Sequence, residues 1–433
     1  MKEILISGMG IVSALGNNVN ETLLSLQAQK SGIAPLCYLK TSHTEFPVGE
    51  VKMTNEELMN ILKIPENVPT TRTALLGMLA VKEALENVGL RQPDMRHETN
   101  FTSHVSKSQI SNLKIAFING TTVGGMDKSE QFYIDFIEND TKNAYISTHD
   151  CGACTEMIAD YFGIFSQVET ISTACSSAAN AILLGAEILK SGRADMVVAG
   201  GSECITKFHL NGFNTLKILD CEPCRPFDAT RAGLNLGEGA AYLVMERAPL
   251  IPPERGKFSP SFGGGRGEVI CRLSGYANAC DAYHQTASSP DGEGAYSAMK
   301  KALEEAGLSP EQIDYINAHG TGTENNDLTE GAAIVRLFGE KIPPVSSTKS
   351  YTGHTTSAAG GIESVISILA LQHNFIPVNL NFSKKMPELP FEPYSACHCG
   401  LDPQSPELRH VLSNSFGFGG NDTSLIFSKI DSL

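Results

Sequence analysis

The chain alternates short apolar segments with stretches of helical character, and this pattern predicts an α/β protein. Val168–Ser172 is short and rich in β-branched residues, as expected of a strand, whereas Ala178–Ala186 favours a helix. Ile313–Asn317 predicts a further strand that runs into a loop rich in glycine and threonine. Met1–Ile6 has the character of a first strand rather than of a signal peptide, because Glu3 and the glycines that follow interrupt the apolar run.

Strands recur in comparable places in two parts of the chain, which indicates an internal duplication. The predicted strands are 114–118 and 196–201 in the first part and 314–317, 345–347 and 423–428 in the second. Residues 251–270 contain Pro252-Pro253 and a run of three glycines, which is the composition of a linker. We therefore divide the chain into two halves, residues 1–255 and residues 256–433.

Three segments have no sustained hydrophobic period and are polar or rich in glycine and proline: 97–112, 251–270 and 395–406. Such composition predicts exposed loops or partial disorder. We assign no chemistry to these segments.

Composition restricts the class of protein without identifying it. The chain has 433 residues, 41% of them hydrophobic, and 40 glycines, which suits a large core with many tight strand–helix turns. No apolar segment approaches the roughly 20 residues that span a bilayer, so we expect a cytoplasmic protein without membrane insertion. We also expect no nucleic-acid partner. The 11 cysteines lack a regular framework of spacings, which predicts mostly free thiols in a reducing compartment.

Neighbouring cysteines could each supply half of a zinc site at Cys151/Cys154, Cys221/Cys224 and Cys397/Cys399. Zinc ribbons need two such pairs about 15–20 residues apart, and the first two pairs are much farther apart than that. We therefore expect no metal. Residues 8–10, Gly-Met-Gly, lack the later glycine of a dinucleotide fingerprint, so we expect no nucleotide cofactor either.

The turn between the strand Val168–Ser172 and the following helix contains Cys175. Unpaired N–H groups and the macrodipole at a helix N-terminus favour an anion, so a thiol there is expected to lose its proton more readily. The same N–H groups can hold a developing oxyanion. Cys175 is thus a candidate nucleophile, although a buried structural cysteine fits this local pattern equally well.

Two histidines lie where strands run out into loops of glycine and threonine. His319 follows the strand Ile313–Asn317, and His354 comes five residues after Lys349 in a second segment of the same design. A single histidine is more often a core or surface residue. Two of them at equivalent strand exits indicate a functional site.

These motifs occur in order along the chain, around Cys175, His319, Lys349 and His354, and then at Asn414–Gly420, which reads Asn-Ser-Phe-Gly-Phe-Gly-Gly. In this combination the chain resembles the β-ketoacyl-acyl-carrier-protein synthases, most of all the elongating type II enzymes with a Cys-His-His site. The resemblance implies a thiolase-like α/β fold, in which two similar halves stack as five alternating layers, α-β-α-β-α, and a dimer.

The resemblance also implies a reaction, a decarboxylative Claisen condensation. Cys175 would accept an acyl group from a thioester while the N–H groups of Cys175 and Phe418 hold the oxyanion. His319 and His354 would then stabilise the enolate that forms as malonyl-acyl carrier protein loses carbon dioxide. Attack of this enolate on the acyl group would give a β-ketoacyl chain two carbons longer, in fatty-acid or in polyene and aryl-lipid synthesis.

Other side chains are assigned through the same resemblance. Lys349, as a buried ammonium, needs a partner, and Glu330 is the acid expected to pair with it. Thr321 and Thr323 would bind the phosphopantetheine arm, which arrives on the carrier, so no cofactor is expected. The residues expected to line the substrate pocket are Val123, Phe213 and Phe416, with Phe418 as its gate.

Acyl carrier protein is the expected partner, and it is acidic like this chain, whose net charge is −15. The two should repel unless a basic patch surrounds the tunnel mouth. By resemblance, carrier docking is assigned to Lys217, Lys207 and Arg72. The dimer is expected to form either with a second copy or with a related synthase subunit.

Two segments depart from the fatty-acid enzymes and leave the acyl chain and the carrier open. They are the stretch between Met126 and Phe162, and Gly420-Asn421-Asp422-Thr423, where those enzymes commonly have Gly-Thr-Asn. A non-catalytic chain-length partner subunit is the main alternative function, although such subunits typically lack the nucleophile. A thiolase that acts on coenzyme A thioesters would use a second cysteine in place of one histidine, and a cysteine hydrolase is a more distant alternative.

Overall fold

The computed structural model describes residues 3–90, 113–139, 145–248, 269–395 and 407–430. Strands in this part of the chain are β1 Ile4–Ser13, β2 Ile115–Gly120, β3 Gln167–Ile171, β4 Met196–Glu203, β5 Gly239–Arg247, β6 Cys271–Cys280, β7 Tyr315–Asn317, β8 Val345–Ser346, β9 His410–Gly417 and β10 Asn421–Ser428. The α-helices are α1 Val19–Gln27, α2 Asn55–Leu62, α3 Arg72–Asn87, α4 Met126–Asn139, α5 Cys151–Phe162, α6 Ser177–Ser191, α7 Lys207–Thr215, α8 Glu293–Ala306, α9 Glu324–Phe338, α10 Lys349–Thr352 and α11 Ala359–His373. The strands and the helix predicted around the motifs are confirmed.

The segments predicted as loops lie almost entirely outside the described residues. This holds for 97–112 and for all but the ends of 251–270 and 395–406. The boundary between residues 255 and 256 falls in the same undescribed stretch, so its position stays a prediction.

The strands repeat one order twice. From one edge to the centre the first five run β3-β2-β4-β5-β1, and from the other edge the last five run β8-β7-β9-β10-β6. A short antiparallel contact between β1 and β6, Ile4–Ile6 against Cys271–Leu273, joins the two sets. Each half is a mixed sheet, with parallel neighbours at its outer edge and antiparallel neighbours at the centre. The predicted internal duplication is therefore confirmed.

Alternating residues of each strand enter different cores, as the period of a strand requires. Ile115 and Phe117 of β2 belong to the same core as the buried residues of α3, whereas Ala116 and Ile118 belong to the core that contains α6 and α11. On the other half-sheet, α8 packs against β6 and β10. Because α6 and α11 contact each other and strands of both half-sheets, the order of layers is α-β-α-β-α, as predicted.

The central layer is made of helices that are apolar and closely packed. α11 is buried along its whole length from Ala359 to Leu371, as expected of a helix that is hydrophobic on every side. Small residues bring it against α6, since a Cβ at Gly360 would lie 2.8 Å from the Cβ of Ala179. No helix in the described part of the chain is both long enough and apolar enough to cross a bilayer.

Candidate active site

Cys175 lies in the turn between β3 and α6, as predicted. Ala174, the residue before it, has a left-handed backbone with φ 52°, a conformation that is costly for a residue with a Cβ and is often found at functional sites. The N–H groups of Ser176 and Ser177 close the turn on the carbonyls of Thr173 and Ala174. The strained backbone conformation therefore lies at Ala174, the residue directly before Cys175.

The thiol of Cys175 faces an imidazole, with its Sγ 3.1 Å from Nε2 of His354. Burial raises the pKa of Cys175 to about 12, although the Lys349 charge and the N–H of Phe418 favour the thiolate. Burial also lowers the pKa of His354 well below its usual range. The expectation of an easily ionised thiol is therefore wrong, because desolvation outweighs the helix N-terminus and leaves a neutral thiol beside a neutral imidazole.

His319 is held by an ammonium, with Lys349 Nζ 3.2 Å from its Nδ1. An ammonium only donates, so Nδ1 accepts and the neutral ring carries its proton on Nε2. Burial and the Lys349 charge both lower the pKa of His319. Its ring meets that of His354 edge to face, with centroids 5.3 Å apart. The two imidazoles thus form one site, in which His319 presents an N–H donor.

Lys349 is paired with Glu363 and not, as predicted, with Glu330. Its Nζ donates to Glu363 Oε1 in the core, where the two side chains are 1% and 3% exposed. Glu330 instead accepts the backbone N–H groups of His319 and Gly320, at 2.9 and 2.8 Å. The carboxylate of Glu330 thereby holds the loop that carries His319, and burial raises its pKa to about 7.

The sequence contains a signal that Glu363 is the partner of a buried cation. It is the one carboxylate in α11, a helix otherwise apolar apart from serine and the terminal Gln-His. A lone buried charge requires a partner, so this position pointed to a cation nearby in the fold. Glu330 was assigned by resemblance to the family, whereas the fold places Glu363 of α11 beside the ammonium of Lys349.

The loop 417–420 passes directly over the nucleophile turn. A Cβ at Gly417 would lie 3.2 Å from the backbone nitrogen of Cys175, so the close approach requires glycine. The N–H of the next residue, Phe418, bonds to the Cys175 sulfur. The Phe418 ring is 37% exposed and stacks on Phe213 of α7 with centroids 6.0 Å apart. The predicted gate residue is thus in contact with the nucleophile.

One cavity of about 390 Å³ reaches the thiol and both imidazoles. Of the residues predicted to bind substrate, it is lined by Thr321, Thr323, Phe213, Phe416 and Phe418. The hydroxyls of the two threonines are 2.9 Å apart, and the Phe416 ring lies 5.8 Å from that of His319. The structure therefore brings most of the predicted pocket together.

Val123 is the exception, because it does not line this cavity. Its side chain is 2% exposed and packs in the same core as Cys154 and Ile158. The buried carboxylate of Glu203 accepts its backbone N–H at 3.0 Å and that of Thr122 at 2.9 Å. These bonds hold the start of α4 against the core, so the prediction that Val123 faces the substrate is wrong for this cavity.

Arg72 is not available for docking, contrary to prediction. Its Nε and one terminal nitrogen donate to Glu238 at 2.9 and 2.6 Å, and its other donors go to Val51, Met53 and Asn55. Arg72 is 9% exposed, so its charge is compensated by Glu238 within the core. Lys207 and Lys217 are exposed as predicted, and Lys217 lies on the rim of the cavity.

Metal and disulfide chemistry find no support in the described residues. There, no group of three or more His, Cys, Asp or Glu side chains is placed to hold a metal ion. The nine cysteines within this part of the chain are free thiols, and Cys397 and Cys399 lie outside it.

Comparison with known proteins gives the same family over nearly the whole chain. The β-ketoacyl synthase N-terminal domain matches residues 1–249, and the β-ketoacyl synthase C-terminal domain matches residues 270–383. The chain is 33% identical to a putative mitochondrial 3-oxoacyl-[acyl-carrier-protein] synthase of Schizosaccharomyces pombe, with 99% of both chains covered. It is 32% identical to 3-oxoacyl-[acyl-carrier-protein] synthase 2 of Coxiella burnetii, again with 99% of both covered.

Solved structures show the same likeness. The ishigamide ketosynthase/chain length factor superimposes with a TM-score of 0.83 at 25% identity, with 99% of both chains covered. A ketosynthase, ApeO, in complex with its chain length factor, ApeC, from Xenorhabdus doucetiae gives a TM-score of 0.78 at 30% identity, covering 99% of this chain and 98% of that one.

The Lys349–Glu363 pair predicts a specific pattern of rescue. Glu363→Ala leaves the ammonium buried without its partner, so the free energy of unfolding should fall by about 3–5 kcal/mol. Adding Lys349→Met should restore part of that loss, because it removes the unpaired charge. The same second substitution should not rescue Glu330→Ala. Urea denaturation measures all four variants, and rescue of Glu330→Ala without rescue of Glu363→Ala would return the pairing to Glu330.

The raised pKa of Cys175 predicts how its alkylation depends on pH. An ordinary thiol reaches its full reactivity near its pKa of about 8.5. With its pKa raised to about 12 by burial, Cys175 should react with iodoacetamide at a rate that still rises above about pH 9. Peptide mass spectrometry follows this residue alone, with the unfolded chain as control. A plateau near the ordinary value in the folded protein would show that the helix N-terminus controls the thiol.

Proposed function

This chain belongs to the β-ketoacyl synthase family, and from that premise we propose that it condenses an acyl group on Cys175 with malonyl-acyl carrier protein. One observation carries the proposal: the thiol lies 3.1 Å from the His354 imidazole in a cavity that His319 also lines. The relatives include synthases named for the same reaction. The phosphopantetheine arm arrives on the carrier, so no further cofactor is invoked, and a cytoplasmic location is part of the proposal.

The first half-reaction moves the acyl group to the enzyme. As Sγ of Cys175 attacks the thioester carbonyl, its proton passes to Nε2 of His354, which lies 3.1 Å away. N–H groups of the turn and of Phe418 stabilise the tetrahedral oxyanion. The bond to the carrier sulfur then breaks. His354 returns the proton to this sulfur, and the carrier leaves as a thiol. Because thiol and imidazole are both neutral at rest, charge appears only during the transfer.

The second half-reaction forms the new carbon–carbon bond. The carboxylate of the malonyl group leaves as carbon dioxide, and the electron pair of the broken bond moves into an enolate. His319 donates from Nε2 to the enolate oxygen, since Lys349 occupies its Nδ1. Once Cys175 is acylated, the neutral His354 ring carries its proton on Nε2 and is the second donor. The enolate carbon attacks the acyl carbonyl, and the bond to Cys175 breaks. The Cys175 thiolate takes the Nε2 proton of His354, whose ring takes up a proton from solvent, and the β-ketoacyl chain remains on the carrier.

The pathway is fatty-acid elongation or the synthesis of a polyene or aryl-lipid chain. Relatives named 3-oxoacyl-[acyl-carrier-protein] synthase 2 support the first, whereas the second rests on the departures of this sequence from the fatty-acid enzymes. Ketosynthases have also been solved with a chain length factor. Those same complexes favour, as alternative function, a non-catalytic chain-length partner, and they make a heterodimer an alternative to a homodimer. The catalytic role is preferred because a non-catalytic subunit has no use for a thiol placed against an imidazole.

The carrier would dock on a ridge formed by α7 and the residue after its C-cap. Phe208 and Leu216 are 61% and 45% exposed and lie eight positions apart, on one side of the helix. Lys207 and Lys217 flank them, and Lys217 reaches the cavity rim. An acidic carrier is attracted to these charges despite the net charge of −15. On its other side α7 contacts the gate, through Phe213 and Phe418.

Substitution of single residues should separate the two half-reactions. We expect Cys175→Ala to abolish acyl transfer and condensation but to retain release of carbon dioxide from malonyl carrier. His319→Ala should slow that release by about 10²–10³-fold, the loss expected for one oxyanion donor, while acylation of Cys175 is less affected. Labelled malonyl carrier and intact-protein mass spectrometry give the two rates.

Three results would contradict the assignment. Condensation near the wild-type rate in Cys175→Ala would exclude this nucleophile, and equal damage to both half-reactions by His319→Ala would make the histidine structural. A wild-type protein that neither takes up an acyl group nor releases carbon dioxide would be the chain-length partner.

Carrier docking on the α7 ridge predicts a charge effect at Lys217. Lys217→Glu should raise KM for acyl carrier substrates several-fold, more at low salt than at high, because the substitution reverses a charge on the rim. Lys301→Glu, an exposed lysine on α8, is the matched control and should leave KM unchanged. Small pantetheine thioesters should react equally well with all three proteins. A loss for both kinds of substrate would mean that Lys217 supports the fold.

A further inference from the structure

A cluster of polar side chains lies behind the nucleophile turn, and none of its members lines the cavity. The cluster joins the turn and α6 to the strands β6 and β10. Its members are Thr173, Ser176, Asn180, Asn278, Asn421 and Thr423. The cluster therefore connects elements of both halves of the molecule at the back of Cys175.

Asn421 is the centre of this cluster. Its Oδ1 accepts three hydrogen bonds, from Ser176 Oγ, Asn180 Nδ2 and Asn278 Nδ2, each at 2.8 Å. An amide nitrogen cannot accept, so these donors determine which way the carboxamide points. A polar group that is fully connected in this way holds its neighbours in one arrangement.

One of the three donors belongs to the residue next to the nucleophile. Ser176 is fully buried, and the single proton of its hydroxyl is shared between Asn421 Oδ1 and the carbonyl of Thr173, each 2.8 Å from Oγ. Asn180 extends the support with a bond of 2.9 Å to the hydroxyl of Thr173. The cluster thus braces both sides of Ala174, whose left-handed backbone needs its surroundings to maintain it.

Asn421 is also where the gate loop ends. It follows Gly420 and begins β10, while at the other end of the loop Gly417 approaches the backbone nitrogen of Cys175. The loop is therefore attached to the nucleophile turn at both ends. Asn421 belongs to the segment whose sequence departs from the pattern of the fatty-acid enzymes.

We propose that Asn421 is a positioning residue, which acts through Ser176 to hold the Cys175 thiol in line for acyl transfer and to tie the gate loop to it. The inference rests on the proposed function. Asn421 touches neither substrate nor thiol, so its loss should affect the first half-reaction and leave release of carbon dioxide, which depends on the histidines.

The test compares Asn421→Leu, Asn421→Asp and Asn278→Ala. The leucine variant is similar in size but accepts no hydrogen bond, and it should slow acyl transfer to Cys175 by about 10²-fold, the effect of a displacement near 1 Å. The aspartate variant keeps an acceptor oxygen and should recover most of that rate, with its pH dependence moved upward by the added negative charge. The Asn278 variant removes one donor, leaves the bond to Ser176, and should stay near the wild-type rate.

The outcomes separate this inference from the proposed function. If Asn421→Leu lowers acyl transfer, carbon dioxide release and Tm together, Asn421 is structural only and the inference is wrong. If the wild-type protein takes up no acyl group, the proposed function fails. The positioning role is then decided by the rate at which iodoacetamide alkylates Cys175. That rate must change in Asn421→Leu and stay the same in Asn278→Ala. Asn421→Ala, which also accepts no hydrogen bond through its side chain, replaces the leucine variant if that one does not fold, and should also slow acyl transfer.

Discussion

The close approach of α6 and α11 in the central layer is the constraint on which the site depends. Cys175 precedes α6 and His354 precedes α11, so the separation of the two helices sets the distance between thiol and imidazole. That separation requires small residues: a Cβ at Gly360 of α11 would lie 2.8 Å from the Cβ of Ala179 of α6. Overpacking a core usually costs about 1–3 kcal/mol, and here it would also move apart groups that must exchange a proton.

The buried site keeps its reacting groups neutral and uses one ion pair to orient them. Burial shifts the pKa of Cys175 up and those of His319 and His354 down, so the resting site carries no charge on the atoms that meet substrate. The Lys349 charge, compensated by Glu363, selects the tautomer of His319. Donors that are oriented in advance stabilise charge when it develops without any rearrangement at that moment.

The parts of this arrangement that depend on local sequence could be predicted, and those that depend on packing could not. Strand exits that carry Cys175, His319 and His354 have short-range signatures of β-branched residues, glycine and threonine. The partner of a buried charge is decided by how the elements pack, which local sequence does not encode. Glu363 is only 14 positions from Lys349, so position along the chain does not distinguish it from Glu330. Arg72, expected at the surface, bonds to Glu238 across 166 positions.

The repeated strand order has a consequence for how the chemistry is shared between the halves. The connection from β3 to α6 in the first half corresponds to the connection from β8 to α11 in the second. At this pair of equivalent positions the first half supplies the nucleophile, and the second supplies Lys349 and His354. In the proposed reaction, one structural plan used twice would thus supply the acceptor of the acyl group from one half and its proton-handling counterpart from the other. Neither half holds all of these side chains, so the proposed chemistry depends on the junction between the halves.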